Sequence, residues 1–425
     1  MEELRRHVLF QNMVSLTGVQ VASYIVPLVT IPYLARVLGA SGWGLVAFAQ
    51  SFGSYIALIT EYGFGYSATR EIARHGDDRE KAADILAGVM GAKTLLGAAC
   101  IVCAGLAAWM VPLFRQHPLL FGAGTFWALG QAFSMMWFFQ GFERMKLVAA
   151  VDVSAKAVAT VGIFIFIHHV GQEWLVLAIQ GLGFFLSAAI CLVLAYREVE
   201  FRLPRWVHVR DALSTGWSMF VFKGSVSLYT AGNAFILGLF VAPRFVGYYA
   251  GAEKISKAFL GLLNPVSQTF FPRLSHLVQH ARERAARLAR ISVAIMGTGG
   301  AAMCVLIFFL APLLVRVILG PAYAPAVPVL RVLALLPPLI ALSNAYGIQW
   351  MLPLGLDRPF NTIIISAGFI NIGLAVVLAP RLADIGMAWA VVCAETFVTG
   401  GIYALLRWRG LNPGAFRTEA AGEIL

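Results

Sequence analysis

Six basic side chains fall inside apolar runs long enough to cross a membrane: Lys93, Lys156, Lys223, Lys254, Lys257 and Arg331. Charge in hydrocarbon is expensive, so each must meet a counter-ion, water or an anionic ligand. The acids away from the first residue of any apolar run are Glu61, Asp152, Glu253 and Glu395. Asp152 precedes Lys156 by four residues and Glu253 precedes Lys257 by four, the spacing that brings side chains on successive helical turns together. These read either as local salt bridges lining a wet cavity or as groups that handle substrate. Lys93, Lys223 and Lys254 have no such neighbour. Lys93, Lys156 and Lys223 lie about nine or ten residues inside their runs, roughly 14 Å at about 1.5 Å per residue. A lysine stem does not span that depth, so snorkelling leaves the ammonium short of the headgroups. The pattern predicts a hydrated cavity of net positive charge, one that attracts anions and repels cations. Arg331 is shallower, and snorkelling accounts for it.

The elements that must position these groups are written in the composition. The chain has 425 residues, 60% hydrophobic and only 12% charged, about half the charged share of a soluble domain. Twelve apolar runs are long enough to span about 30 Å of hydrocarbon: 12–36, 44–66, 84–111, 119–140, 147–168, 174–196, 214–240, 245–272, 291–315, 326–353, 361–379 and 384–406. The expectation is an all-α integral membrane protein of twelve transmembrane helices. No alternation of the kind a β-barrel needs recurs. Pro27 and Pro32 predict a bend in the first run, and Pro265 one in the eighth.

The net charge of +11 could suggest nucleic acid. The basic residues lie between apolar runs, however, and no RNA-binding motif or basic patch is present. With the N-terminus cytoplasmic, 21 Lys and Arg fall in cytoplasmic segments, the last of them Arg407, Arg409 and Arg417, against five on the other side. That asymmetry predicts both termini in the cytoplasm. The start MEELRRHVLF carries no signal-peptide pattern. No phosphate-binding GxxxxGK[ST] loop occurs, and no loop has room for a soluble catalytic domain. Cys100 and Cys103 form a CxxC with no second ligand pair nearby, so all five cysteines read as small apolar residues and no metal is expected.

The stretch WGLVAFAQ (43–50) resembles VGYYAGAE (246–253) at an offset of 203 residues, aligning Gln50 with Glu253. Both halves begin on the same side, which predicts a parallel repeat of the kind transporters use. The expected division is a six-helix bundle at 1–200, a cytoplasmic linker at 201–213 and a second six-helix bundle at 214–425.

Five segments then carry a family likeness: PYLARVLGASGWGLVAFAQSFGSY (32–55), EYGFGYSATREIA (61–73), WFFQGFE (137–143), VGYYAGAEKI (246–255) and QTFFPRLS (268–275). In order and position they resemble bacterial polysaccharide flippases of the Wzx, O-antigen type, from the superfamily of multidrug exporters and lipid II flippases. The resemblance implies two bundles around a central V-shaped cavity. It also implies a cargo, an oligosaccharide on undecaprenyl pyrophosphate moved from the cytoplasmic to the periplasmic leaflet of the inner membrane. It implies no enzyme activity, a single chain among membrane lipids, and polysaccharide polymerase machinery as a partner. The basic lumen of that family corresponds in role to Lys93, Lys223 and Lys254, with Lys156 and Lys257 as further candidates. Coupling to protons or sodium, with no bound cofactor, would fall to Glu61, Asp152, Glu253 and Glu395, although Glu61 also reads as a surface residue. The rival readings are a lipid II flippase, an ion-coupled multidrug exporter and an integral membrane glycosyltransferase. The exporter is disfavoured because 12–36 holds no acid and the seventh run carries Lys223, the glycosyltransferase because no large extramembrane loop exists.

Overall fold

A chain this apolar satisfies its backbone inside the bilayer only by hydrogen-bonding within each segment, and helices result. In the computed structural model, which describes residues 2–75 and 78–414, every regular element among the described residues is helical. Side chains are described from residue 29 onward, apart from 222, 225, 228 and 229. Arg417 and the side chains of Arg5, Arg6 and Pro27 therefore lie outside them. The chain resolves into two compact units, Met1–Ser227 and Leu228–Leu425.

The first unit comprises α1 (Glu2–Glu61), α2 (Phe64–His75), α3 (Arg79–Met110), α4 (Pro112–Gln116), α5 (Pro118–Ala132), α6 (Met136–Gly141), α7 (Met145–Phe166), α8 (Glu173–Glu198) and most of α9 (Trp206–Thr230). The second comprises α10 (Asn233–Gly238), α11 (Pro243–Gly261), α12 (Asn264–His280), α13 (Arg282–Leu314), α14 (Ala326–Leu333), α15 (Leu336–Ser343) and α16 (Asp357–Trp408). Wider helical turns extend α13 over Val315–Leu319 and α15 over Asn344–Met351. Eight stretches among the described residues are long and apolar enough to cross a membrane. The protein is a multi-pass membrane protein.

Two of those stretches exceed one crossing. α16 has 52 residues, about 78 Å at about 1.5 Å each. It breaks at Ala383 (φ 49°), leaving two pieces that are each long enough to span. α1 breaks at Gly39 (φ 66°), where a residue without a Cβ takes the left-handed backbone at no steric cost. Pro32 lies within continuous helix, and the break comes seven residues later. In the eighth expected run α11 stops at Gly261, and α12 restarts at Asn264 with Pro265 in its first turn, where proline is preorganised. The seventh and eighth expected runs are each divided between two helices, α9 with α10 and α11 with α12.

Helices meet through small residues, as they must where no hydrophobic force separates side chain from lipid. A Cβ on Gly300 of α13 would sit 2.8 Å from the Pro337 carbonyl oxygen and 2.8 Å from Pro338 Cα on α15. Gly299, one residue earlier, faces open space. Cys100 is buried whereas Cys103 lies on the exposed apolar surface, so the CxxC is split between two faces of α3. Among the described residues no group of His, Cys, Asp and Glu is placed to hold a metal.

Gly300→Leu should destabilise the purified protein by about 1–3 kcal/mol through overpacking, while Gly299→Leu should stay within about 0.5 kcal/mol. Thermal unfolding of both variants in the same detergent checks this. Equal melting curves would mean that α13 and α15 are not in backbone contact.

Candidate functional site

The first charged cluster forms where α1 ends. Tyr62 (φ 50°) and Gly63 (φ 78°) turn the chain out of α1 and into α2. The turn presses so closely on α9 that a Cβ at Gly63 would come within 2.7–2.9 Å of Met219 and the Phe220 backbone. At this corner the Glu61 carboxylate accepts hydrogen bonds from the N–H of Gly65 (2.7 Å) and of Gly63 (3.3 Å). It thus meets the orphan donors at the start of α2, and its charge suits that helix end. The Lys223 ammonium of α9 donates to the same carboxylate at 2.8 Å and lies 5.0 Å over the Tyr66 ring. Tyr62 stacks on Phe220, with ring centroids 4.6 Å apart and planes 11° apart. The pair is partly open, Lys223 29% and Glu61 23% exposed. Tyr66 and Trp217 beside it are exposed by more than half. The expectation of an unpartnered Lys223 is therefore corrected: its counter-ion is Glu61, 162 residues earlier, a separation no helical spacing reveals.

Lys93 is more deeply placed. Its side chain is 1% exposed and points away from solvent into the unit. The ammonium donates to the carbonyls of Ala132 (2.7 Å) and Ser134 (3.1 Å) and lies 6.0 Å from the Trp137 ring. Those carbonyls sit where α5 ends and α6 has not yet begun, so the helix break frees them and Lys93 satisfies them. The residue holds a broken helix together.

The two local pairs expected from spacing form. Lys156 meets Asp152 at 2.8 Å, and Lys257 meets Glu253 at 3.1 Å. Lys257 also reaches the Thr230 carbonyl at 3.4 Å, and the Tyr249 hydroxyl donates to Glu253 at 3.3 Å. Lys254, one residue from Glu253, makes no hydrogen bond or ion pair among the described residues. Glu395 is 7% exposed and likewise makes no ion pair among them. Arg331 lies 5.3 Å over the Phe308 ring.

Inspection of charges alone missed the buried amides. Asn371 donates to Asn233 at 2.9 Å inside the second unit, and Gln349 donates to Ser267 at 3.2 Å while accepting from Ser292. Their signal was present, since an amide in an apolar run carries nearly the same demand for a partner as a charge. At the cytoplasmic end expected for the first unit, Glu198 of α8 bridges Arg79 (2.9 Å) and Arg144. Arg202 of the segment after α8 pairs with Asp84 at 2.9 Å and Glu80 at 3.3 Å, strapping it to α3.

Replacing Lys93 with Met keeps the volume but leaves the buried Ala132 carbonyl and the partly buried Ser134 carbonyl without this donor, and it should cost about 1–3 kcal/mol. The measurement is thermal stability and folded yield of Lys93→Met beside Lys223→Met. A fully stable Lys93→Met that lacks only transport would return Lys93 to the ligand surface.

Residues 9–278 match the polysaccharide biosynthesis protein family. The chain is 30% identical over 399 residues to a candidate O-antigen transporter of Escherichia coli (strain K12), covering 93% of this chain and 96% of that one. It is 28% identical over 396 residues to a protein of the same description from Shigella dysenteriae, covering 91% and 97%. Among solved structures it is similar to the lipid II flippase MurJ in an inward closed conformation, with TM-score 0.69, 12% identity and 93% and 87% of the two chains covered. It is also similar to an inward-facing multidrug resistance transporter of the MATE family in the MOP superfamily, with TM-score 0.62, 15% identity and 92% and 98% covered. At those identities the two structures speak for the fold. The sequence matches span most of the chain, and on them this protein belongs to the polysaccharide biosynthesis protein family.

Proposed function

We propose that this protein is a flippase carrying an oligosaccharide on undecaprenyl pyrophosphate from the cytoplasmic to the periplasmic leaflet of the bacterial inner membrane, by alternating access. Its work is transport and not catalysis of a reaction. The chain crosses the membrane twelve times, in bundles at 1–200 and 214–425 joined by a linker at 201–213, with both termini cytoplasmic. It acts as a single chain and delivers its cargo to polysaccharide polymerase machinery.

The observation that carries this reading is the half-open Lys223–Glu61 pair among exposed rings. An ion pair left partly open between apolar helices requires water rather than lipid around it. An exposed lysine on such a surface can exchange its carboxylate partner for a phosphate, a compact polyanion that an ammonium binds as a point charge. Lys254 is the second candidate, since no group among the described residues pairs with it by direct contact. Lys257 joins when its pair with Glu253 opens. The carboxylates released in this way, Glu61 and Glu253, together with Asp152 and the buried Glu395, are the groups for protons or sodium to occupy. The names of the two sequence relatives support an O-antigen cargo.

Deleting the gene in its host should make sugar-bearing lipid pyrophosphate accumulate on the cytoplasmic side and should lower surface polysaccharide. Lys223→Ala and Lys254→Ala, expressed at normal levels in that strain, should restore less than about a tenth of the polysaccharide, the effect of losing about 1.4 kcal/mol of cargo binding. Full restoration by both variants and by the double variant would remove the cationic site. The MurJ-like fold favours lipid II as a second reading. Accumulation of lipid II with normal surface polysaccharide would select it. Heightened sensitivity to cationic drugs with neither lipid accumulating would select a drug exporter.

A further inference from the structure

The first unit holds a second polar feature, away from the Glu61–Lys223 corner. Helices α1, α5, α7 and α8 enclose a cavity of about 400 Å³. Its wall carries Gln50, Gln131, Gln180 and Lys156, with Trp127 and Phe184 supplying aromatic faces. Three carboxamides on one concave surface within membrane-crossing helices are costly unless hydrated or bound, by about 1–3 kcal/mol each on protein-based scales. Gln50 donates to Gln180 at 3.0 Å, which leaves the Gln50 oxygen and the Gln180 amino group available. The Gln131 side chain is exposed and makes no hydrogen bond among the described residues. The pocket is therefore wet, and donors and acceptors are both on offer.

Its amides distinguish it from the Lys223 corner. The charged group among the described wall residues, Lys156, is paired with Asp152 at 2.8 Å, as Lys223 is with Glu61. The described wall, amides with indole and phenyl faces and one paired lysine, offers a pyrophosphate no free cation. It matches the chemistry of a neutral sugar: hydroxyls that both donate and accept, and a ring face of C–H groups that packs on an aromatic ring. The volume lies at the small end of ligand pockets, about 300–1,000 Å³, the range for one or two rings and not a polymer.

We propose that this cavity is the subsite that reads the neutral glycosyl part of the cargo, with Gln50, Gln131 and Gln180 as the specificity-determining residues. The proposal rests on the flippase reading and adds where discrimination among sugar units resides. Gln131 contributes an amide that no group among the described residues hydrogen-bonds, so it is the residue to test.

The test uses the full-length protein in proteoliposomes with its five native cysteines replaced and Gln131→Cys introduced. A membrane-impermeant maleimide reports access to the cavity. The probes are undecaprenyl pyrophosphate carrying two neutral hexoses, and the same lipid pyrophosphate without sugar. Labelling should proceed without ligand, slow about tenfold with the glycosylated probe at ten times its dissociation constant, and stay unchanged with the sugar-free one. In parallel, Gln131→Leu should cut transport of the glycosylated probe about tenfold, the loss of one neutral hydrogen bond. An unlabelled cysteine would show a dry cavity and overturn the proposal. Equal protection by both probes would place the phosphates there and overturn it too. Protection only by a cationic amphiphile such as tetraphenylphosphonium would make it a drug pocket. If Gln131→Leu transports normally while the gene deletion still traps lipid-linked sugar, the subsite fails and the flippase reading stands. If the deletion traps nothing, both fail.

Discussion

The whole structure answers one constraint: a polar group inside hydrocarbon needs a partner within the protein, because water is not there to supply one. A straight helix meets that demand unaided, so each break in a helix creates a debt in unpaired backbone groups. This chain breaks its helices repeatedly, and two of its intramembrane charges settle the result. Glu61 receives the N–H groups of Gly63 and Gly65 at the start of α2, and Lys93 supplies hydrogens to the Ala132 and Ser134 carbonyls between α5 and α6. Charge here is first an instrument of architecture. What remains exposed after the architecture is satisfied is the charge that can meet a ligand.

That ordering sorts the basic residues. Lys93, 1% exposed and donating to two carbonyls, is engaged inside the first unit. Lys223 shares its carboxylate with two backbone N–H groups, so Glu61 keeps a role after the ammonium departs. A phosphate could therefore draw Lys223 away without leaving Glu61 unpartnered. Lys156 and Lys257 are held by carboxylates on their own helices, and Lys254 by none among the described residues. The corner built on an exposed ion pair and the cavity rich in amides are chemically unlike, as the two ends of a glycosylated lipid pyrophosphate are unlike.

Much of this was legible in the sequence because the relevant signals are local. Apolar runs gave the helices, and i, i+4 spacing gave the Asp152–Lys156 and Glu253–Lys257 pairs, since one helical turn is the only geometry involved. Lys223–Glu61 and Lys93–Ala132 were not legible, because the partners are distant in the chain and one acceptor is backbone, which no side-chain inventory shows. The amide cavity escaped for a different reason. Glutamine is uncharged, so attention to charge passed over Gln50, Gln131 and Gln180, although an unpartnered amide in hydrocarbon is nearly as informative. Pro32 misdirected in a related way: proline marks a weak point in a helix, but the left-handed turn itself required the glycine at 39.

The helix breaks also bear on the internal likeness between 43–50 and 246–253. The break at Gly39 lies 203 residues before the extended Ala242 that precedes α11, and α3 and α13 begin 203 residues apart. α5 ends at Ala132 and α14 at Leu333, each followed by a short helix three or four residues on. The same device is therefore built twice, yet its debt is met differently. At the position of Lys93 in α3, the fifteenth residue of its helix, α13 carries Met296, which packs in an apolar cluster with Ala341 and Ala345. The freed carbonyl of Leu333 instead accepts from the Ser256 hydroxyl at 3.4 Å. A neutral hydroxyl thus suffices where the second unit needs one donor, whereas the first unit has two carbonyls converging on one point and uses an ammonium. A buried cation is tolerated there because two carbonyl dipoles and a nearby indole face stand in for water. The position of a lysine inside a membrane span accordingly says little about cargo until the state of the surrounding backbone is known.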